Sequence, residues 1–540
     1  MPKVVGRLIV FLTTACIAVL GLGALINIQF GLDNGLLLRA FEVDEDTNLK
    51  LVIRSLQSNS LDPSGWYYYG YLYPTVGFAL AKFYNFLGDQ VLSARFLGAL
   101  LRLISLSCYL GVIWLMTRLG SLLRLSRPFA LGAALFVACV PELYARAQMV
   151  APDLAQVMLL ILAVWTAAAD HSRRGTVCSA LVAGLAFGTK YSGIFFIPFI
   201  PVPFLLKEWS DGSNWKEIAR RAWPVVLAAV AAFLIGWLAF NPYVPTHFAQ
   251  FRSVLAWEYG AVGTQGWHGK VAPANPLLWL PVIREQVSPI GMAVVILGIG
   301  AMAYYAIGEY RRSVSLRQFF SNPTLRILVM LLTYVAFSIC YVALTVRKRD
   351  ARYLFFIFPF VVTLAFVGLS RLHDSLRPRI QLLTALLPML LAAVMTTAAV
   401  RATSATTLKD ESPVAKGADF MLRCYDVRVR VLYEWYSYVP PVFQNQKTDF
   451  VVRPELIAEF KPDLIVLSKA MTGLYAWKAP GTHFSAHKYI ADSSYGSLAE
   501  SRLEFVRSLF DSGSRWEVVW EAEEEVILQA KNFAGERRCP

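Results

Sequence analysis

Four carboxylates, Glu42, Asp44, Glu45 and Asp46, follow closely on the first apolar stretch of the chain, where a polypeptide would leave a bilayer. Charges beside hydrocarbon are costly, and those that persist usually serve ion pathways, substrate contacts or catalysis. A second concentration of charge has the opposite sign. Arg347, Lys348, Arg349 and Arg352 crowd six positions between two strongly apolar stretches. Guanidinium groups form bidentate hydrogen bonds with phosphate oxygens, so the phosphate of a lipid is an economical partner for them. The plainer alternatives are a solvated linker face for the acids, and pairing with Asp350 and lipid headgroups for the bases.

The elements that must position these groups cross a membrane. Of 540 residues, 56% are hydrophobic and only 16% charged, with a mean hydropathy of +0.49, which excludes an ordinary soluble enzyme. Residues 8–28, 327–346 and 380–400 each run roughly 20 residues without a charge, enough to span hydrocarbon as a helix. Further apolar segments near 96–117, 128–141, 154–169, 176–189, 191–206, 222–240, 287–307 and 353–370 bring the expected total to about eleven spans. Several are short, as expected of tilted or broken helices buried within protein. The first stretch is not followed by a small-residue cleavage site before the acids, so it reads as a retained helix.

The net charge of +14 does not point to nucleic acid, because the cations collect in short loops. With Lys3 and Arg7 in the cytoplasm, the loops bearing Arg118, Arg124 and Arg127, then Arg173 and Arg174, then Lys207, Lys216, Arg220 and Arg221, fall on the same side. Those bearing Arg311, Arg312 and Arg317, and Arg371, Arg377 and Arg379, join them. The acidic run, external segments of about 29–95 and 242–286, the 347–352 cations and the C-terminal tail then lie outside. The expected organisation is a membrane domain over 1–400 and a soluble periplasmic α/β domain over 401–540. In that tail PDLIVLSK reads as a buried strand, SLAESRLEFVRSLF as an amphipathic helix and WEVVWEAEEEVILQA as a strand pair.

No G-x-G-x-x-G, P-loop or HExxH pattern occurs, so neither a nucleotide cofactor nor a zincin-type metal site is expected. No cofactor is expected to be required, although a carboxylate-held divalent ion stays open. Five cysteines lie in apolar spans; Cys424 and Cys539 lie in the tail, where a disulfide and two free thiols are both open readings.

The motif order resembles the C superfamily of membrane glycosyltransferases, especially bacterial protein O-mannosyltransferases and the aminoarabinose transferases of lipid A. The resemblance covers roughly residues 5–370. It rests on DED at 44–46, ARFLGAL at 94–100, APDL at 151–154, GLAFGTKYSG at 184–193 and RDARYLFFIFPF at 349–360. It implies a polytopic helical fold and an inverting transfer of a sugar from a polyprenyl-phosphate donor to a lipid, polysaccharide or protein acceptor, at the periplasmic face of a bacterial inner membrane.

Asp44 matches the family's catalytic base, and Glu45 its second acid, which would orient the acceptor or the base. Asp153 resembles the acid of the second external loop; as a helix N-terminal carboxylate after Pro152 it also suits the helix dipole. Lys190 matches a donor-phosphate contact, shared with Arg347, Lys348, Arg349 and Arg352. Glu42 and Asp46 read as solvated neighbours.

Trp66, Tyr67, Tyr68, Tyr69, Tyr71 and Tyr73 form an aromatic cluster before Pro74. Tyr67, Tyr69 and Tyr73 are candidates to stack on sugar, although interfacial aromatic anchoring is the commoner use, and residues 71–87 read as an interfacial amphipathic helix. His268, within WEYGAVGTQGWHGKVAP, resembles a residue of a substrate-covering loop, or is simply solvated. The rival class is a transporter or lipid-linked-sugar flippase, which would place charges at mid-span in both halves of the chain rather than on one side.

Overall fold

The computed structural model describes residues 3–29, 32, 43–63, 67, 69–88, 93–259, 276–346, 351–376, 398–400, 413–434, 437–440, 442–449, 452–468, 497–522, 525–535 and 537–539. The membrane part begins with α1 (Lys3–Ile26), α2 (Val43–Ser58), α3 (Leu72–Gly88), α4 (Ala94–Leu122), α5 (Arg127–Ala138), α6 (Pro141–Arg146), α7 (Asp153–Ala169) and α8 (Arg173–Phe187). It continues through α9 (Val202–Ser210), α10 (Trp215–Leu238), α11 (Phe248–Tyr259), α12 (Trp279–Arg312), α13 (Leu316–Ser321), α14 (Pro323–Thr345) and α15 (Phe358–Leu376).

Among the described residues, six helical segments are long and apolar enough to cross a membrane: Arg7–Gln29, Ala94–Leu122, Tyr191–Ser210, Trp215–Leu238, Trp279–Arg312 and Pro323–Thr345. Other expected spans correspond to the shorter or more polar α5, α7, α8 and α15. The stretch at 380–400 lies mostly outside the described residues. The protein is therefore a multi-pass membrane protein whose helices divide by surroundings. Long α1 and α12 keep 22% of their most apolar window buried and turn residues such as Phe11, Ile26 and Ile296 outward, as a lipid-facing helix does. Short α5, α7 and α15 are buried along most of their length, because neighbouring helices stand where lipid would otherwise be.

Packing at this depth relies on close backbone approach, since lipid tails are as apolar as leucine and offer little hydrophobic drive between helices. Where α12 meets α15, a Cβ at Gly368 would lie 1.8 Å from the Gly298 carbonyl oxygen, so that crossing requires glycine. The expected start of a span near 287 coincides with a break in α12, where Ser288 has φ 61° just before Pro289. Proline removes a helical N–H and clashes with the preceding turn.

The C-terminal part holds α16 (Pro413–Cys424), β1 (Arg430–Glu434), β2 (Asn445–Asp449), α17 (Pro454–Phe460), β3 (Leu464–Ser468), α18 (Ser497–Phe510), β4 (Trp516–Glu521) and β5 (Glu525–Ala530). Its five-stranded sheet has the order β2-β1-β3-β5-β4. β1 pairs in parallel with β2 and β3, while β5 runs antiparallel to β3 and β4. β3 is buried at every position, as a continuous apolar strand covered on both faces should be. One face packs Ile465 and Leu467 with Leu456 of α17 and Leu509 of α18; the other packs Leu464 and Val466 with Met421 of α16. The buried strand, the amphipathic helix and the strand pair read from sequence all occur. Cys424 and Cys539, left open above, form a disulfide.

Candidate functional site

The site is built where the turn after α8 meets the start of α7. α8 ends at Phe187, and Lys190 is extended at φ −153°, ψ 133°, so its side chain leaves the helix line. Gln156 of α7 fixes this exit by donating its amide to the Lys190 carbonyl (2.9 Å) and to Ser192 Oγ (2.7 Å). Lys190 Nζ then donates to Asp153 Oδ1 at 2.5 Å, with side-chain exposures of 17% and 7%. Asp153 is the first residue of α7, so it satisfies both readings at once: a carboxylate on a helix N-terminus and the partner of a buried cation. The other positive charges acting on it belong to Arg146 and Arg352. Sequence reasoning had singled out Arg352 but not Arg146, which is also paired with Glu142 at 2.7 Å.

The acidic side of the site is tied to the same place. Glu45, in the first turn of α2, is fully buried. It accepts from Arg102 Nε at 2.6 Å and from Arg102 Nη2 at 3.1 Å, and from the Val150 backbone N–H at 2.9 Å. Arg102 also donates to the Ile28 carbonyl at 3.0 Å. Of the two expected roles, orienting the acceptor or orienting the base, direct contact with an acceptor does not suit a carboxylate sealed against a bidentate guanidinium and a backbone amide; these bonds tie the start of α2 to the 148–152 loop. Asp44 is its chain neighbour in the first turn of α2, with a side chain outside the described residues, as is that of Asp46. Glu42, Trp66, Tyr68, His268, Arg347, Lys348 and Arg349 also lie outside the described residues.

The aromatic cluster splits by position. Tyr73, on α3, is 1% exposed and donates its hydroxyl to the Leu101 carbonyl at 2.6 Å, with Ser105 Oγ 2.9 Å away. The expectation that it touches sugar is thereby overturned, because helix packing consumes both its ring and its hydroxyl. Tyr69 lies beside the charged pair, with Lys190 Nζ 5.8 Å from its ring centroid and Tyr191 donating to its carbonyl at 3.1 Å. The segment after it is stitched to the end of α8. Gly70 N–H donates to Thr189, Leu72 N–H to Gly188, and Tyr71 N–H to Asn241 Oδ1 at 2.8 Å. A Cβ at Gly70 would stand 2.0 Å from the Gly188 carbonyl, so only glycine permits this approach. Tyr67 is 2% exposed and packs edge-on against Phe251.

Sequence reasoning missed Arg102 and Asn241. Arg102 carried a usable signal, a single charge inside an otherwise apolar ALLRLISL run; Asn241 carried none. Among the described residues no three His, Cys, Asp or Glu side chains are grouped as a metal would need.

Residues 73–239 match the family model described as dolichyl-phosphate-mannose-protein mannosyltransferase. No curated protein matches the chain. Among solved structures, an ArnT from Cupriavidus metallidurans bound to undecaprenyl phosphate is 12% identical, with a TM-score of 0.49, over 97% of this chain and 98% of that one. The archaeal oligosaccharyltransferase AglB from Archaeoglobus fulgidus, in complex with an inhibitory peptide and a dolichol-phosphate, is 12% identical with a TM-score of 0.48, over 94% of this chain and 79% of that one. The family match spans α3 to α10, the segment that supplies Arg102, Asp153 and Lys190.

Proposed function

We propose that the protein transfers a sugar from a polyprenyl-phosphate donor to a hydroxyl of a lipid, polysaccharide or protein acceptor, with inversion, at the periplasmic face of a bacterial inner membrane. The observation that carries this reading is the junction of opposite charges at the 148–153 loop. Glu45 holds the start of α2, and with it Asp44, to Val150, while three residues later Asp153 meets Lys190 within the field of Arg146 and Arg352. An acid-bearing turn and a cationic cluster thus share one loop.

In the proposed step the acceptor oxygen forms a bond to the anomeric carbon and its proton passes to the Asp44 carboxylate. The bond from the anomeric carbon to the phosphate oxygen breaks on the opposite face, and the phosphate departs with the electron pair. A positioned base contributes about 10²–10⁴-fold to such a step. The leaving phosphate needs no proton; it needs positive charge fixed in advance in a low-dielectric site. Lys190 and Arg352 supply it, and Arg347, Lys348 and Arg349, which precede Arg352 in the sequence, are proposed to add to it. Asp153 positions Lys190, and Glu45 positions Asp44. Because fixed side-chain cations stabilise the leaving group, no metal is proposed as a requirement, and chelation is expected to leave the rate unchanged.

The Cys424–Cys539 disulfide supports an extracytoplasmic C-terminal part, since such bonds persist in oxidising compartments. The test is transfer from radiolabelled polyprenyl-phosphate sugar by the purified protein. Asp44→Asn is expected to abolish release of label from the lipid at normal protein levels. Retained activity in that variant would remove Asp44 as the base; movement of the lipid-linked sugar across sealed vesicles with no bond cleavage would overturn the transferase reading.

A further inference from the structure

The outer face of α10 carries positive charge that its surroundings leave unbalanced. The helix buries Ile218, Val225, Ala232 and Phe233 and turns another row of side chains outward. That row runs Lys216, Arg220, Trp223, Leu227, Val230 and Leu234, at spacings of three or four residues that keep its members on one helical face. Lys216 and Arg220 are exposed, and the four that follow are 65%, 51%, 46% and 41% exposed. Along the helix axis the row therefore reads cation, cation, indole, then hydrocarbon.

The acids around the start of α10 are already engaged. Glu208 and Glu217 both pair with Arg221, at 2.8 and 3.3 Å, and Asp211 acts on Arg326. Among the described residues Lys216 and Arg220 make no ion pair. They stand four residues apart, so their charges repel along the helix, and Lys216 lies in the first turn, where the helix dipole disfavours a cation. An anion bound to both offsets these costs. A third exposed cation, Arg317 of α13, reaches the same end of the helix by donating to the Gly212 carbonyl at 3.5 Å. Trp215, 72% exposed, stacks on Trp209, which in turn meets Phe320; indoles collect at the level of lipid headgroups.

This order of groups is that of a phospholipid. A helical rise of 1.5 Å per residue sets Trp223 about 10 Å and Leu234 about 27 Å beyond Lys216, which matches a phosphate at the cations, glycerol esters beside the indole and an acyl chain along Leu227, Val230 and Leu234. The side preference of loop charges depends on their number and does not require such a row. We propose that this face of α10 is a binding site for one anionic phospholipid, its phosphate held by Lys216 and Arg220 and its acyl chain lying along the apolar row. Basic clusters at the ends of membrane helices recognise anionic headgroups, whereas a zwitterionic lipid would bring its own ammonium against these cations. Lys216 stands about 33 Å along α10 from Leu238, the end that leads to Asn241, so this site is separate from the charged junction at Asp153 and Lys190.

The experiment is native mass spectrometry of the full chain, delipidated in detergent and titrated with phosphatidylglycerol or phosphatidylcholine of identical acyl chains. The parent is expected to retain one phosphatidylglycerol with at least about fivefold preference over phosphatidylcholine. Lys216→Gln combined with Arg220→Gln should reduce that preference below twofold. Arg173→Gln combined with Arg174→Gln, which removes the same charge from another loop, should leave it intact. Exchanging the two cations, Lys216→Arg with Arg220→Lys, keeps the charge and should keep the binding, which tests the site even where the neutral pair folds poorly. Equal retention of the two lipids by the parent, an equal loss in both neutral pairs, or loss in the exchanged pair overturns the site. Dimers that form on delipidation and that phosphatidylglycerol does not dissociate would assign the face to a second copy of the chain and overturn it as well.

Discussion

Two buried ion pairs of the membrane part and two surface pairs of the C-terminal sheet region use the same residue types in opposite ways. Glu45–Arg102 and Asp153–Lys190 have side-chain exposures of 17% or less, and each joins elements far apart in sequence. Arg453–Asp449 and Lys447–Glu459 lie on the surface of the sheet region, at side-chain exposures of 29–72%. A buried pair recovers its desolvation cost only through close geometry and added hydrogen bonds, so removing one partner strands the other, whereas a surface pair is screened and nearly dispensable. The membrane part brings both of these buried pairs to one loop junction, and the sheet region gets its order from apolar strands.

That contrast breaks first, if it breaks, at Arg102. Arg102→Met is expected to cost about 3–5 kcal/mol, seen as a large drop in the melting temperature of the detergent-solubilised protein, and adding Glu45→Gln should recover most of it. A single variant that melts like the parent would show that the buried pair is not what holds α2.

Lys190→Met sharpens the distinction between holding and reacting. Its transfer rate is expected to fall about 10²–10³-fold, the scale of one lost electrostatic stabiliser, with a smaller thermal change than Arg102→Met. The opposite ranking, an unstable protein with normal activity per folded molecule, would move Lys190 into the structural class.

In the sheet region the corresponding anchor is covalent. Cys539→Ser opens the bond to Cys424 across a separation of 115 residues and is expected to destabilise that region by about 2–4 kcal/mol, read by limited proteolysis of the tail.

A smaller effect concerns pH. Tyr425 donates to Gln529 Oε1 at 2.6 Å, and burial, partly opposed by Arg537, pushes its hydroxyl up to about 12. Because the folded value exceeds that of the unfolded chain, the contribution is intact below about pH 10 and is lost as pH rises through about 12. Near-ultraviolet circular dichroism of the protein against pH checks it, and Tyr425→Phe should abolish that component. The least effect is expected at the surface: Arg453→Ala should leave the melting temperature unchanged within error, and a clear loss there would erase the contrast between the two regions.

Several site residues were readable in advance because their cost announces them. Asp153 and Lys190 stand at the ends of apolar stretches, and the 347–352 cations break the side preference of the other loops. Arg102 was equally readable and was passed over in favour of the denser acidic run. Tyr73 shows the opposite error. Its residue type equals that of Tyr67 and Tyr69, and only the start of α3 at Leu72 decides that its hydroxyl meets Leu101 and Ser105 in helix packing. The commitment of Glu45 was hidden for the same reason, since its partners are 57 and 105 residues away.

Hydropathy and charge asymmetry, properties of local composition, determined by themselves that this chain crosses a membrane many times, that its tail forms an α/β sheet unit, and where costly charges lie. Which acid meets which base was decided only by tertiary structure. The 37-residue separation of Asp153 and Lys190 closes because α7 and α8 pack side by side, and the segment through Gly70 meets the end of α8 because a residue without a Cβ can lie against the Gly188 carbonyl. Those contacts depend on helix packing and backbone approach over long sequence distances, which no window of residues encodes.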